Sequence, residues 1–147
     1  MKFIRSSYLN LTEKNIMQNI LLNYRDINKG LKNLSTVISS AKDLCSFTIH
    51  LDLDDDIQKK ELYELFKKLN NLKKISSINI RLSGETINMT ELKHSLKAQK
   101  NLSKLYLSYF GISILKKGFI SLSKNLGSCQ NLSDLRVYLG SSFEILP

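Results

Sequence analysis

Apolar residues recur along the chain with two periods, and the alternation between those periods itself repeats. Aligned on Leu44, Ile75, Leu102 and Leu132, the units are spaced by 31, 27 and 30 residues. Three residues later stand Phe47, Ile78, Leu105 and Leu135. Five later come Ile49, Ile80, Leu107 and Val137, and seven later Leu51, Leu82, Tyr109 and Leu139. Six residues before the anchor stand Ile38, Leu69, Leu96 and Leu126, and ten before it Leu34, Leu65, Leu92 and Leu122. Thirteen before it are Leu31, Leu62, Met89 and Phe119. With 42% apolar residues, chance would leave more than half of these positions polar.

The later columns end in strict alternation, the period of a strand with one buried face. The earlier columns are three and four residues apart, the stripe of one helix face. Each unit is therefore a helix followed by a short strand. The pattern predicts helices over 29–42, 57–72, 89–99 and 113–128, and strands over 46–51, 77–82, 104–109 and 134–139. A helical crossover between successive strands implies a parallel sheet. One unit cannot bury its own helix and strand faces, but stacked units can. The acidic run Asp52, Asp54, Asp55 and Asp56 precedes the second helix, where carboxylates favour the positive end of the helix dipole. Ser83–Gly84 has turn chemistry.

The first 28 residues fit the repeat less closely. Ile4, Leu9 and Leu11 predict an edge strand that begins the sheet, while Ile16, Ile20 and Tyr24 fall on one helical face. Residues 1–28 are read as an N-terminal cap or degenerate first repeat, and 29–147 as the repeat domain. After Leu139 only Gly140 to Pro147 remain, with no polar helix to cap the array. An array without a cap exposes a strand edge and part of its core. The expectation is that the chain is a fragment of a longer protein, or that its last strand docks against a partner or its own copy.

The strings Leu102-Ser-Lys-Leu105-Tyr-Leu107 and Leu132-Ser-Asp-Leu135-Arg-Val137 fit LxxLxL. With a helix in each unit, residues 29–139 resemble leucine-rich repeats of the ribonuclease-inhibitor-like type. The segment from Lys124 to Leu139, with Leu126-Gly127-Ser-Cys129-Gln-Asn131-Leu132, is especially close to that pattern. The resemblance implies an α/β solenoid of about four repeats, with a curved parallel sheet on the concave side and helices on the convex side. It also implies a binding scaffold. Family members place an asparagine just after the strand; here those places hold Asp52 or Asp54, Glu85 and Ser142.

Composition narrows the function classes. No run of 18 apolar residues exists, so no membrane-spanning helix is expected. The N-terminus lacks the apolar stretch of a signal peptide, and Cys45 and Cys129 lie far apart. An intracellular, cytoplasmic protein is the expectation. The net charge is +9, and 18 of the 22 basic residues are lysine. Lys59, Lys60, Lys67, Lys68, Lys73 and Lys74 cluster on and after the second helix, and Lys93, Lys97, Lys100 and Lys104 on and after the third. An excess of lysine draws RNA or acidic partners, yet it is also the solvated face of ordinary amphipathic helices.

Motifs of catalysis are missing. His50, His94, Cys45 and Cys129 are scattered, so neither a metal site nor a nucleophile–base pair is expected. Asp52, Asp54 and Asp56 alternate as in a calcium loop, but Ile57 stands in the glycine position and Tyr63 at the twelfth. The six glycines form neither GxGxxG nor a P-loop, so no cofactor is expected. Cys129 reads as a small core residue.

The strand positions between the apolar columns point the other way. They hold Ser46, Thr48 and His50; Ser77, Asn79 and Arg81; Lys104, Tyr106 and Ser108; and Asp134, Arg136 and Tyr138. Tyrosine and arginine dominate interface hot spots, although exposed strands also carry them without function. The sequence therefore predicts a non-enzymatic protein–protein interaction or scaffolding module. Arg81, Tyr106, Arg136 and Tyr138 would bind the partner, with His50 and Lys104 at the margin. The alternative is a structural subunit that meets RNA or an acidic partner through the convex lysines.

Overall fold

A computed structural model describes residues 6–13, 16–23, 27–53, 56–84, 92, 95–96, 99–110, 113–140 and 144–146. Strands β1 (Ser6–Glu13) and β2 (Ile16–Asn23) are followed by helix α1 (Ile27–Ser40) and strand β3 (Leu44–Leu53). Then come α2 (Asp56–Leu69), β4 (Ser77–Gly84), β5 (Lys104–Phe110) and the short β6 (Ser113–Leu115). Helix α3 (Lys116–Leu126), β7 (Asp134–Leu139) and the short β8 (Glu144–Leu146) close the described chain. The helix predicted over 89–99 lies mostly outside the described residues; Leu92, Ser95 and Leu96 within it are helical.

The fold is α/β. Six strands form one sheet in the order β2-β1-β3-β4-β5-β7, and β6 pairs with β8 in a second, two-stranded sheet. The strands β3, β4, β5 and β7 run parallel, as the helical crossovers require. Their register reproduces the sequence columns. Phe47, Ile78, Leu105 and Leu135 stand side by side, as do Ile49, Ile80, Leu107 and Val137. The third row is Leu51, Leu82, Tyr109 and Leu139.

One face of this sheet is the core. Leu31, Leu34 and Ile38 of α1, with Leu62, Leu65, Phe66 and Leu69 of α2, share a buried cluster with the inward residues of β3, β4 and β5. Leu92, Leu96 and Leu122 join the same cluster. All four members of the −10 column, Leu34, Leu65, Leu92 and Leu122, are buried. On the opposite face the strand residues stay partly or fully exposed.

Two sets of hydrogen bonds repeat with the units. After each helix the chain turns the same way: Ala41, Leu72, Gln99 and Cys129 donate their amides to the carbonyls of Ile38, Leu69, Leu96 and Leu126 (3.0–3.2 Å). Just after each anchor, a carbonyl is received by the next unit. Ser76 donates both its amide and its hydroxyl to Cys45 O (2.8 and 3.2 Å). Ser103 does the same to Ser76 O (2.9 and 3.0 Å), and Ser133 to Ser103 O (2.9 and 3.2 Å). Beside this ladder, Asn101 Nδ2 donates to Lys73 O (2.6 Å) and Asn131 Nδ2 to Lys100 O (2.7 Å). Lys74 pairs with Asp43 at the same position of the two earlier units. This side-chain ladder stands just before the strand, and at the far end of β3 and β4 Ser83 Oγ donates to Asp52 Oδ1 (3.0 Å). Inside, Ser95 Oγ donates to Phe66 O and Gln99 Nε2 to Leu69 O, each at 2.6 Å.

The structure corrects the reading of the first segment. Residues 16–23 form a strand, not a helix, and β2 rather than β1 is the edge. An isolated eight-residue helix is marginal in water, whereas β2 pairs with β1 along its whole length, from Ser6↔Asn23 to Glu13↔Ile16. Three apolar positions at helical spacing lose to a full antiparallel ladder. Ile4 and Tyr24 lie outside the described residues. Gly84 has a φ of 131°, which favours glycine at the predicted turn. Cys129 is partly buried rather than sealed in the core, and burial pushes its thiol up.

Tyr109 takes the place of a leucine in its row, and its hydroxyl is buried with no hydrogen-bond partner. An unpaired buried hydroxyl carries its desolvation cost without return. Tyr109→Phe is expected to raise stability by about 1 kcal/mol, read as a higher urea midpoint with an unchanged slope. Leu105→Ala, on the same face of the same strand, is expected to cost roughly 2–5 kcal/mol.

Candidate interaction face

The open face of the parallel sheet is a grid set by strand register. Its first row is Ser46, Ser77, Lys104 and Asp134. The second is Thr48, Asn79, Tyr106 and Arg136, and the third His50, Arg81, Ser108 and Tyr138. A fourth row holds Asp52, Ser83 and Phe110. In the antiparallel pairing, Asn10 and Tyr8 of β1 stand opposite Thr48 and His50. All six residues singled out in the sequence lie on this one face. Arg81, Lys104, Arg136 and Tyr138 are exposed, and His50 and Tyr106 are half-buried.

Two arginine–aromatic stacks organise the face. The Arg136 guanidinium carbon lies 4.7 Å from the centre of the Tyr106 ring, its register partner on β5. Arg136 also holds Asp134 through two bonds, Nε to Oδ1 at 3.0 Å and a terminal guanidinium nitrogen to Oδ2 at 3.2 Å. Tyr106 donates its hydroxyl to the same carboxylate (3.3 Å). Asp134 thereby ties the stack together from below. In the second stack, the Arg81 guanidinium carbon sits 4.6 Å from the centre of the Phe110 ring. Phe110 in turn lies 5.2 Å from Tyr138, with the two rings tilted by 40°. Cations over rings and tilted ring pairs are favourable arrangements that pre-set side-chain positions.

Sequence reasoning missed Phe110 and passed over Asp134. The signal for Phe110 was the alternation Lys104, Tyr106, Ser108 carried one step further, past the predicted strand end at 109. Strand alternation places Asp134 on the face, but its bond to Tyr106 joins residues that are distant in sequence. His50 and Lys104 take part through charge: Arg81 acts on the imidazole, and Lys104 acts on Asp134.

The helical side looks different. Lys74 pairs with Asp43, and Lys67 lies 4.0 Å from Glu64 and 5.9 Å from the centre of the Tyr63 ring. A groove between α1 and α2 is lined by Lys32, Lys68, Glu61 and Glu64, a mixed set of charges. Asp52 accepts a bond from Ser83 Oγ (3.0 Å); Asp54 and Asp55 lie outside the described residues. Among the described residues, no three His, Cys, Asp or Glu side chains converge on a point that would hold a metal ion. No helix among them is long and apolar enough to cross a membrane.

Bonds from Arg136 hold the Asp134 carboxyl below the ordinary carboxylate range. Its contribution to stability is present above the ordinary value of 3.8 and lost as pH falls through the lowered one. Arg136→Ala is expected to move the Asp134 carboxyl titration upward, followed by carbon-detected NMR. His50 is lowered from 6.5, first by burial and then by Arg81. The fold therefore favours neutral imidazole, and that contribution is present above pH 6.5 and lost on acidification. Arg81→Ala is expected to raise the His50 titration midpoint only in part, because burial remains; proton NMR of the imidazole reads it.

No protein-family model, curated protein or solved structure matches the chain.

Proposed function

We propose that this chain is a ribonuclease-inhibitor-like leucine-rich-repeat solenoid with no enzymatic activity, working as a protein-recognition or scaffolding module. Support for the repeat architecture comes from the recurring post-helix turn, the serine ladder and the row-by-row strand register. Support for recognition comes from one observation above the others. Two arginine–aromatic stacks, Arg136 on Tyr106 and Arg81 on Phe110 with Tyr138, stand on one face that no described helix covers. Such side chains bury large area at small entropic cost and still offer hydrogen-bond donors. Their stacks hold them in place before a partner arrives, which lowers the ordering cost of binding. In the solenoid reading this face is the concave side. Free Cys45 and Cys129 suit a reducing, cytoplasmic setting.

The second reading, RNA or an acidic partner on the lysine-rich helices, has less support, because Lys67 and Lys74 already meet Glu64 and Asp43. Affinity capture of the tagged chain, with and without nuclease, followed by affinity measurement on the recovered partner, separates the two. The expected result is a nuclease-resistant protein partner whose affinity falls at least about 100-fold when Arg81, Tyr106, Arg136 and Tyr138 are all changed to alanine. Unchanged affinity in that variant overturns the proposal. Nuclease-sensitive capture that is lost on changing Lys67, Lys68, Lys73 and Lys74 would favour the helical surface instead.

A further inference from the structure

The last strand of the large sheet breaks the burial pattern of its neighbours. In β3, β4 and β5 the inward residues Phe47, Ile49, Ile78, Ile80, Leu105 and Leu107 are at most 1% exposed. Their register partners on β7, Leu135 and Val137, are 47% and 43% exposed. Among the described residues, no strand pairs with β7 on the side away from β5. The amides of Asp134 and Gly140 are directed at β5, to Ser103 O (3.0 Å) and Tyr109 O (2.8 Å). Backbone groups alternate along a strand, so those of Leu135, Val137 and Leu139 point away from β5, to the free edge. Gly140 is held close there: a Cβ on it would lie 3.1 Å from Tyr109 O.

We infer that a second copy of this chain occupies the edge, with β7 pairing antiparallel to β7 of the partner copy about a two-fold axis normal to the sheet. The axis keeps the helix-side face of one copy continuous with that of the other, so residues of like parity must stand opposite one another. Two such registers keep most of the six-residue strand paired. One is centred on Arg136 and sets that guanidinium against its own copy in a close, non-hydrogen-bonded pair, which like charges disfavour. The other is centred on Val137. It sets Val137 against Val137, Leu135 against Leu139 and Arg136 against Tyr138. The outward backbone groups of Leu135, Val137 and Leu139 then become the hydrogen-bonded pairs. On the helix side the exposed leucines and valines of both copies form one apolar row. On the open side Arg136 meets a tyrosine of the second copy, as it already meets Tyr106 at 4.7 Å within its own chain. The strand is complementary to itself in charge, polarity and backbone direction in this register alone.

The two-fold contact is testable without any knowledge of other partners. Sedimentation equilibrium from roughly 1 to 100 µM is expected to show a reversible rise from the 16.8 kDa chain toward twice that mass. Val137→Lys places two ammonium groups at the axis, and at least about tenfold weaker association is expected. At concentrations where the unchanged chain is monomeric the two melting curves are expected to coincide, because Val137 is 43% exposed within one chain. A second pair of variants reads the register, in a background where Cys45 and Cys129 are serine. Oxidised Val137→Cys is expected to form a cross-linked dimer, since directly opposed Cα atoms about 5.5 Å apart lie within disulfide reach. Arg136→Cys is expected to stay uncrosslinked. A monomer throughout the concentration range overturns the proposal. So does a dimer insensitive to Val137→Lys, or cross-linking at position 136 in place of 137.

Discussion

Three carbonyls at or just before the starts of β3, β4 and β5, each held by an amide and a serine hydroxyl of the next unit, keep the sheet in register. Ser76, Ser103 and Ser133 each bring an amide and a hydroxyl to the carbonyl of the unit before. That contact lies one residue after the buried anchor, where the chain leaves the turn and enters the strand. A slip of one residue between parallel strands would turn every side chain to the wrong face. The serine ladder and the apolar columns fix the same register independently, one by hydrogen bonds and the other by burial. Agreement between such independent signals is what makes a sequence specify one arrangement.

The open face inherits its order from that register. Tyr106 and Arg136 stack because they are register partners, and Asp134 binds both because it stands one row away on the same side. Arg81, Phe110 and Tyr138 come from three strands and would not meet if any one of them shifted. The strings Asn101-Leu-Ser103 and Asn131-Leu-Ser133 each serve the stacking twice. Their asparagines reach back to Lys73 and Lys100, while their serines extend the ladder. Each string is the joint between neighbouring units.

The two ends of the sheet are treated differently. At one end β1 and β2 add an antiparallel hairpin, so β3 has partners on both sides. At the other, β7 keeps its apolar row half in solvent. Edge strands with exposed apolar residues invite further pairing, and natural sheets blunt them with charge or cover. On β7 that charge is limited to Asp134 and Arg136, which are bonded to each other.

The sequence by itself determined the helix–strand alternation, the parallel direction, the register and the columns that β3, β4 and β5 bury, because burial against a neighbour imposes periods of 3.6 and 2 that can be counted along the chain. It did not foresee that Leu135 and Val137, in the same columns on β7, stay about half exposed. It also placed Arg81, Tyr106, Arg136, Tyr138, His50 and Lys104 on one face, since strand alternation leaves no other choice. The tertiary structure alone decided the rest. Ile16 to Asn23 became a strand because β1, itself paired with β3, offered a hairpin partner, and local spacing carries no record of it. Phe110 stacks with Arg81 and Tyr138 because those residues lie on the two neighbouring strands. The ladder before the strand formed because serine and asparagine side chains bond whatever carbonyl the stacking brings within reach. Contacts between residues about thirty positions apart depend on how the units stack, and no local pattern records that.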